Sequence, residues 1–158
     1  MKTLKSDCCR ILFYFAYGSN MSYKRLDDRK INYDIIGTAI LLNYKLIFNK
    51  KSKKNSEIGF ANIINFNGGR VEGILYRISK EDLLKLDVFE GYPEHYRRDY
   101  LKVYVLDCDS DVYAITYIAN DRWISESAKP TKEYLSCLLE AKDYLSEDYY
   151  NYISSFLK

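Results

Sequence analysis

An α+β domain built on a curved sheet is the fold this sequence predicts, and three observations predict it. Stretches rich in β-branched and aromatic residues recur through the first two thirds of the chain. Helical patterns gather at the connections and the C-terminus, and Asn67-Gly68-Gly69 places a sharp turn signal between two strand-like stretches. The 158 residues suit one domain over 1–158, with no internal repeat or linker. A domain of that length buries roughly 68–70% of the surface its unfolded chain exposes, so it builds a core without staples.

In chain order, Ile11 to Tyr17 is an apolar, aromatic run stopped by Gly18 and reads as a strand buried on both faces. Ser19 and Asn20 are helix N-cap types, and Met21 to Lys30 contains good helix formers, so the strand feeds a tight turn into a helix. Tyr33 to Phe48 suggests one or two strands. Lys50 to Asn55 then gives a charged break, read as an exposed hairpin loop, before Ile58 to Phe66 resumes the β pattern. Because Asn67-Gly68-Gly69 tolerates the positive φ angles of a primed turn, strands near 58–66 and 70–78 are expected to form a hairpin.

Ser79 caps a helix over Lys80 to Glu90, with Asp82 as the short-armed partner of a capping box and Gly91, followed by Pro93, as the stop. Strands near Tyr96 to Leu106 and Val112 to Asn120 flank the polar turn Asp107 to Asp111. Leu135, Leu138, Leu139 and Leu145 support one helix. Tyr149, Ile153 and Phe156, after the capping residue Ser146, support a short last helix.

The formal net charge of +2, from 24 basic and 22 acidic residues, gives no general electrostatic reason to seek nucleic acid or an anionic membrane. The Lys50, Lys51, Lys53, Lys54 run is short and lacks aromatic interleaving. Cys8, Cys9, Cys108 and Cys137 show no metal spacing and no CxxC, and His95 is the single histidine, which leaves little for a zinc site. Ile11 to Tyr17 is too short for a membrane span, and Lys2, Lys5 and Arg10 precede a run too short and aromatic for a signal peptide; a cytoplasmic protein is expected.

Glu90 draws attention by its position. On a helix, Leu83, Leu86 and Glu90 fall at about 0°, 300° and 340°, so the carboxylate shares the apolar face, where desolvation raises its pKa toward proton-shuttling range. A frayed helix end that turns Glu90 to solvent fits the same pattern. Tyr17-Gly18-Ser19-Asn20 joins a strand to a helix start, where unpaired N–H groups favour an anion or oxyanion; an ordinary capped turn fits it equally. His95 reads as a surface residue for want of a nucleophile. Arg97 and Arg98 point to opposite faces of a strand, so at most one enters a pocket.

Taken together, Tyr17-Gly18-Ser19-Asn20-Met21 and Leu86-Asp87-Val88-Phe89-Glu90-Gly91 with Tyr96-Arg97-Arg98 resemble, in order, the two motifs of the γ-glutamylcyclotransferase superfamily. Ser56 to Asn62, Thr116 to Asn120 and Lys129 to Leu135 resemble its intervening strand, late strand and C-terminal helix start, so the resemblance spans most of the chain. It implies a mixed, barrel-like β-sheet with flanking helices and substrate held by Tyr17, Gly18, Ser19 and Asn20. It also implies Glu90 as catalytic acid and base and Tyr117 facing the same pocket, with no metal or cofactor. The implied partner is a small γ-glutamyl compound, closed on itself to release 5-oxoproline. Tyr92-Pro93-Glu94-His95 maps onto no known leaving group, so a γ-glutamyl amino acid and a γ-glutamyl amine both stay open, as does a pocket that only binds a small anion. A homodimer face among the 17 tyrosines is open too, though no pattern marks one.

Overall fold

Two strands much longer than the sequence pattern suggests carry the sheet. In the computed structural model, which describes residues 11–157, β2 (Asp34–Lys51) and β3 (Gly59–Ser79) run 18 and 21 residues and pair antiparallel along most of their length. Cys8 and Cys9, and the basic residues before Ile11, lie outside the described residues. β1 (Ile11–Ala16) pairs antiparallel with β3, β4 (Tyr96–Val105) with β2, and β5 (Ser110–Ala119) with β4. A parallel contact between Tyr14 and Ile115 closes β1 on β5, giving a five-stranded barrel in the order β1-β3-β2-β4-β5. Closure removes the free sheet edges that an open sheet exposes.

The hairpin expected at Asn67-Gly68-Gly69 is instead a bulge inside β3. The register steps from Leu42 opposite Arg70 to Tyr44 opposite Asn65, so Asn43 alone faces several residues of the partner strand. Asn43 and Gly68 adopt φ of 66° and 82°, and the Gly68 N–H donates to Asn43 Oδ1 across 3.1 Å. Positive-φ residues serve a bulge as readily as a primed turn, and the resulting bend helps a long ribbon wrap into a barrel. The true β2–β3 turn is the 52–58 segment. Lys50 and Lys51 accordingly belong to β2; Lys53 and Lys54 are exposed, but Lys50 is only 4% exposed, which corrects the reading of the run as an exposed loop.

Local signals hold best in the helix between β3 and β4. α2, which follows the short helix α1 (Tyr23–Asp28), spans Lys80–Glu90. The Ser79 hydroxyl accepts from the Asp82 N–H at 3.1 Å and donates to the Asp82 carboxylate at 2.7 Å, and Gly91 ends the helix at φ 68°. α3 (Lys132–Leu139) is capped by Thr131 and α4 (Glu147–Ser154) by Ser146. Leu145 lies beyond α3, after a turn of 3-10 helix, so the four leucines do not form one helix.

Leu135, Leu138 and Ile153 from these helices pack with Phe15, Ile74, Leu75 and Leu86 in the core. Only Tyr14 to Tyr17 of the first run is buried; Ile11 is exposed and Leu12 and Phe13 half-buried. Most buried polar groups are paired, although Trp123 Nε1 and the Tyr149 hydroxyl have no hydrogen-bond partner among the described residues. The Asn62 amide joins Asn49 at 3.0 Å and the Ala119 N–H at 2.9 Å, while buried Glu72 accepts from the Ser146 N–H and hydroxyl at 2.8 and 2.7 Å.

Candidate active site

β1 ends at Ala16, and Tyr17-Gly18-Ser19-Asn20 leaves the sheet through a single turn of 3-10 helix over Ser19–Met21. Within it Met21 donates to the Gly18 carbonyl at 3.0 Å and Ser22 to the Ser19 carbonyl at 3.1 Å. The N–H groups of Gly18, Ser19 and Asn20 donate to no backbone acceptor among the described residues. α1 is capped by Ser22, which accepts from the Arg25 N–H, and not by Ser19 or Asn20. The chain must turn off the sheet before a helix can start, so the available donors belong to a local turn rather than to the end of a helix dipole. A methyl group on Gly18 would lie 3.1 Å from Ala61 Cβ, which sets how closely this turn sits on β3.

Glu90, the last residue of α2, points inward. Its Oε1 accepts from Asn20 Nδ2 at 3.0 Å, and the same amide nitrogen lies 3.0 Å from the Tyr14 hydroxyl oxygen. Asn20 Oδ1 in turn accepts from Arg29 Nη1 at 2.9 Å, and the Asn20 carbonyl accepts from the Tyr76 hydroxyl at 2.9 Å. A buried asparagine, 3% exposed, is thus held on every polar side and presents its amide to the carboxylate. Burial raises the Glu90 pKa above its ordinary value; Arg29, then the Asn20 hydrogen bond, Arg25 and Lys50 oppose the rise. The outcome is a carboxyl poised to hold or release a proton.

Tyr14, Tyr17, Gly18, Ser19, Asn20, Glu90, Tyr96, Tyr117 and Tyr134 line one cavity of about 40 Å³ with Ala61 and Thr116, so the six expected site residues, Tyr17, Gly18, Ser19, Asn20, Glu90 and Tyr117, meet there. The tyrosine hydroxyls are committed to the protein. Tyr17 donates to the Tyr117 carbonyl, Tyr96 to the Ala61 carbonyl at 2.8 Å, and Tyr117 to Asp87 Oδ1 at 2.7 Å; the Tyr134 hydroxyl accepts from the Ala61 N–H at 3.0 Å. Tyr17 and Tyr117 therefore serve as walls. Burial, above all, pushes the Tyr14, Tyr17, Tyr96 and Tyr117 hydroxyls above the usual tyrosine range, so they stay neutral. Arg98 Nε lies 3.6 Å from Asp87 Oδ1 and supports this wall from behind; Arg97 faces Asp99 at 3.6 Å, and neither arginine lines the cavity.

A cleft of about 550 Å³ shares Ser19, Glu90, Tyr96 and Tyr134 with the cavity. Lys50 and His95, both set aside on sequence grounds, line it. The Lys50 ammonium donates to His95 Nδ1 across 2.8 Å and stands 4.8 Å from the Trp123 ring centroid and 5.5 Å from that of Tyr96. His95 stacks on Trp123 with centroids 3.8 Å apart, so it is a structured cleft residue and not a surface one. Burial brings the Lys50 pKa down to about 8, with Glu90 opposing, and lowers that of His95, with Lys50 contributing. β2 continues into the lysine run through a break in register between Ile47 and Lys50, and Phe48, Asn49 and Lys50 are all buried, a feature no local pattern shows. Trp123 and His95 meet only through the tertiary fold.

Among the described residues no group of three His, Cys, Asp or Glu side chains could hold a metal ion, and no helix is long and apolar enough to cross a membrane.

A closed barrel with a Gly-Ser-Asn turn facing a helix-terminal glutamate defines a class of small mixed β-barrel proteins, and comparison with known proteins identifies it. The family model described as gamma-glutamyl cyclotransferase, AIG2-like matches residues 14–145, and the chain belongs to that family. It is 34% identical over 91 residues to the gamma-glutamylcyclotransferase of Bos taurus, covering 56% of this chain and 48% of that one. It is 35% identical over 81 residues to that of Homo sapiens, covering 49% and 43%. The chain thus spans about half the length of the curated relatives it matches. A solved structure named gamma-glutamyl cyclotransferase superposes with a TM-score of 0.81 at 26% identity, over 91% of this chain and 86% of that one.

Proposed function

We propose that this protein cyclises a γ-glutamyl compound into 5-oxoproline and a free amine or amino acid, with Glu90 as the proton carrier. The observation that carries the reading is the Asn20–Glu90 contact at 3.0 Å inside the cavity lined by the Tyr17–Asn20 turn. Family membership and the names of its relatives support it.

The substrate brings its own nucleophile. Its α-amine nitrogen attacks the δ-carbonyl carbon, the ring C–N bond forms, and the γ-amide C–N bond breaks. The attacking nitrogen gives up the protons that its ammonium form carried in excess of the lactam N–H, and the departing nitrogen gains the same number, so neither water nor a redox partner is consumed. The Glu90 carboxylate takes a proton before attack and its acid form returns one to the leaving nitrogen, a role worth about 10²–10⁴-fold. The tyrosine walls hold the flexible chain curled; well-oriented intramolecular attack reaches effective molarities of about 10⁵–10⁸ M. The free N–H groups of the turn supply donors for the oxyanion or for the α-carboxylate.

The test is mass-spectrometric detection of 5-oxoproline after incubation of the protein and its Glu90→Gln variant with pooled γ-glutamyl amino acids, γ-glutamyl amines and glutathione. Release by the wild type alone is expected. Binding of these compounds without release by either protein would reduce the site to a binding pocket.

A further inference from the structure

The cleft outside Glu90 carries a charge that the whole chain does not. Overall the balance is 24 basic to 22 acidic residues, yet Arg25, Arg29, Lys50, Lys53 and Lys54 line this cleft against Glu90, the only carboxylate lining it among the described residues. None of the five makes an ion pair among the described residues; the pairs formed there involve other cations. They come from two directions. Arg25 and Arg29 project from α1 and its end, whereas Lys50 is the next-to-last residue of β2 and Lys53 and Lys54 occupy the turn beyond it.

Lys50 is the enclosed member of the set. It is 4% exposed, yet its ammonium meets aromatic rings and one histidine nitrogen and no carboxylate within ion-pair distance. An ammonium has further N–H donors beyond the one His95 accepts. Burying an unpaired cation is costly and is tolerated where an incoming anion completes it. Burial, and after it the neighbouring Arg25, lowers the Arg29 pKa, so positive charge is crowded on this side of the cleft.

This rests on the γ-glutamyl cyclisation reading. We propose that the cleft seats a leaving group with a carboxylate beyond its own α-carboxylate, an acidic amino acid or acidic peptide, and that Lys50 is the specificity-determining residue that receives one of its carboxylates. The two cation groups then meet one anionic group each. A leaving amine without a carboxylate would bring a cation into a cationic cleft and is the disfavoured case.

Initial rates of 5-oxoproline release on γ-glutamylglutamate, γ-glutamylalanine and γ-glutamylethylamine, for wild type and for Lys50→Met, test this. A charge-assisted contact made only by the acidic substrate should raise wild-type kcat/KM for γ-glutamylglutamate over γ-glutamylalanine on the order of 10–100-fold, with γ-glutamylethylamine lowest. Lys50→Met, or Lys50→Gln should the former not fold, should collapse that ratio toward one. Equal wild-type kcat/KM on the first two substrates overturns the proposal and leaves cyclisation standing. A preference that survives both variants removes Lys50 from the role, and no release from any substrate removes the cyclisation reading and this proposal with it.

Discussion

Asn20 donates to Glu90 across 3.0 Å and so joins two segments seventy residues apart: the turn leaving β1 and the last residue of α2. The asparagine is itself fixed by Arg29 at 2.9 Å and reaches the Tyr14 hydroxyl at 3.0 Å. The carboxylate therefore inherits its orientation from the barrel rather than from the end of a helix.

Replacing Asn20 with Ala should lower kcat on the order of 10–100-fold and destabilise the fold by about 1–3 kcal/mol, because the Tyr14 hydroxyl and the Arg29 guanidinium lose a buried partner. Asn20 is one of the groups that hold the Glu90 pKa down against burial. Its removal should push that pKa further up, moving the acid limb of the kcat/KM profile to higher pH. An unmoved limb would mean that Asn20 does not set the carboxyl's charge.

Glu90→Gln carries a prediction about stability as well as activity. The folded-state pKa lies above the ordinary value of 4.5, so the native state holds a proton that the unfolded state has lost once pH passes that value. Stability therefore falls as pH rises through the window from 4.5 upward, and above it the ionised, half-buried carboxylate destabilises the fold. Glutamine keeps the shape and removes the charge. Its melting temperature should match the wild type near pH 4 and exceed it at pH 8, while turnover drops by about 10²–10⁴-fold. A melting-temperature difference independent of pH would contradict the buried-charge account.

What the sequence made legible was local. α2 is bounded by Ser79 and Gly91, whose capping chemistry acts within a turn, and the face shared by Leu83, Leu86 and Glu90 follows from helical spacing alone. The Asn67-Gly68-Gly69 segment misled because positive φ is common to turns and bulges, and only pairing across to Asn43 separates them. Lys50 was obscured for a related reason. A lysine-rich run looks solvated by composition, while its first residue still belongs to β2, just past a break in register, and is covered by Trp123 and Tyr96 from distant segments.

Tyr117→Phe separates wall from chemistry. The Tyr117 hydroxyl donates to Asp87 at 2.7 Å and has no other partner among the described residues, whereas the bond from Tyr17 lands on its backbone carbonyl and survives the change. The variant leaves Asp87 facing Arg98 without its neutral donor and should lose about 1–2 kcal/mol in chemical denaturation. Because the ring remains, KM for a γ-glutamyl substrate should change less than threefold, as roughly expected for an isosteric wall. A large fall in kcat with unchanged stability would instead give the hydroxyl a direct part in the reaction.

Gly91→Ala tests how the helix stop positions the cleft. Gly91 sits at φ 68°, a conformation that costs a non-glycine residue about 1–2 kcal/mol. An added Cβ would lie 2.8 Å from His95 Cδ2 and 3.0 Å from Cγ, so the imidazole must give way. The His95 ring is stacked on Trp123 and accepts from Lys50, and the His95 backbone N–H donates to the Gly91 carbonyl at 2.8 Å, so the ring cannot move without loosening the whole group. The variant should unfold at lower denaturant concentration, and its Trp123 fluorescence should change as the stack opens. Its KM should rise more for γ-glutamylglutamate than for γ-glutamylalanine, because Lys50 loses the neighbour that aims it. An equal rise for both substrates would assign the damage to Glu90, one residue upstream, rather than to the Lys50 contact.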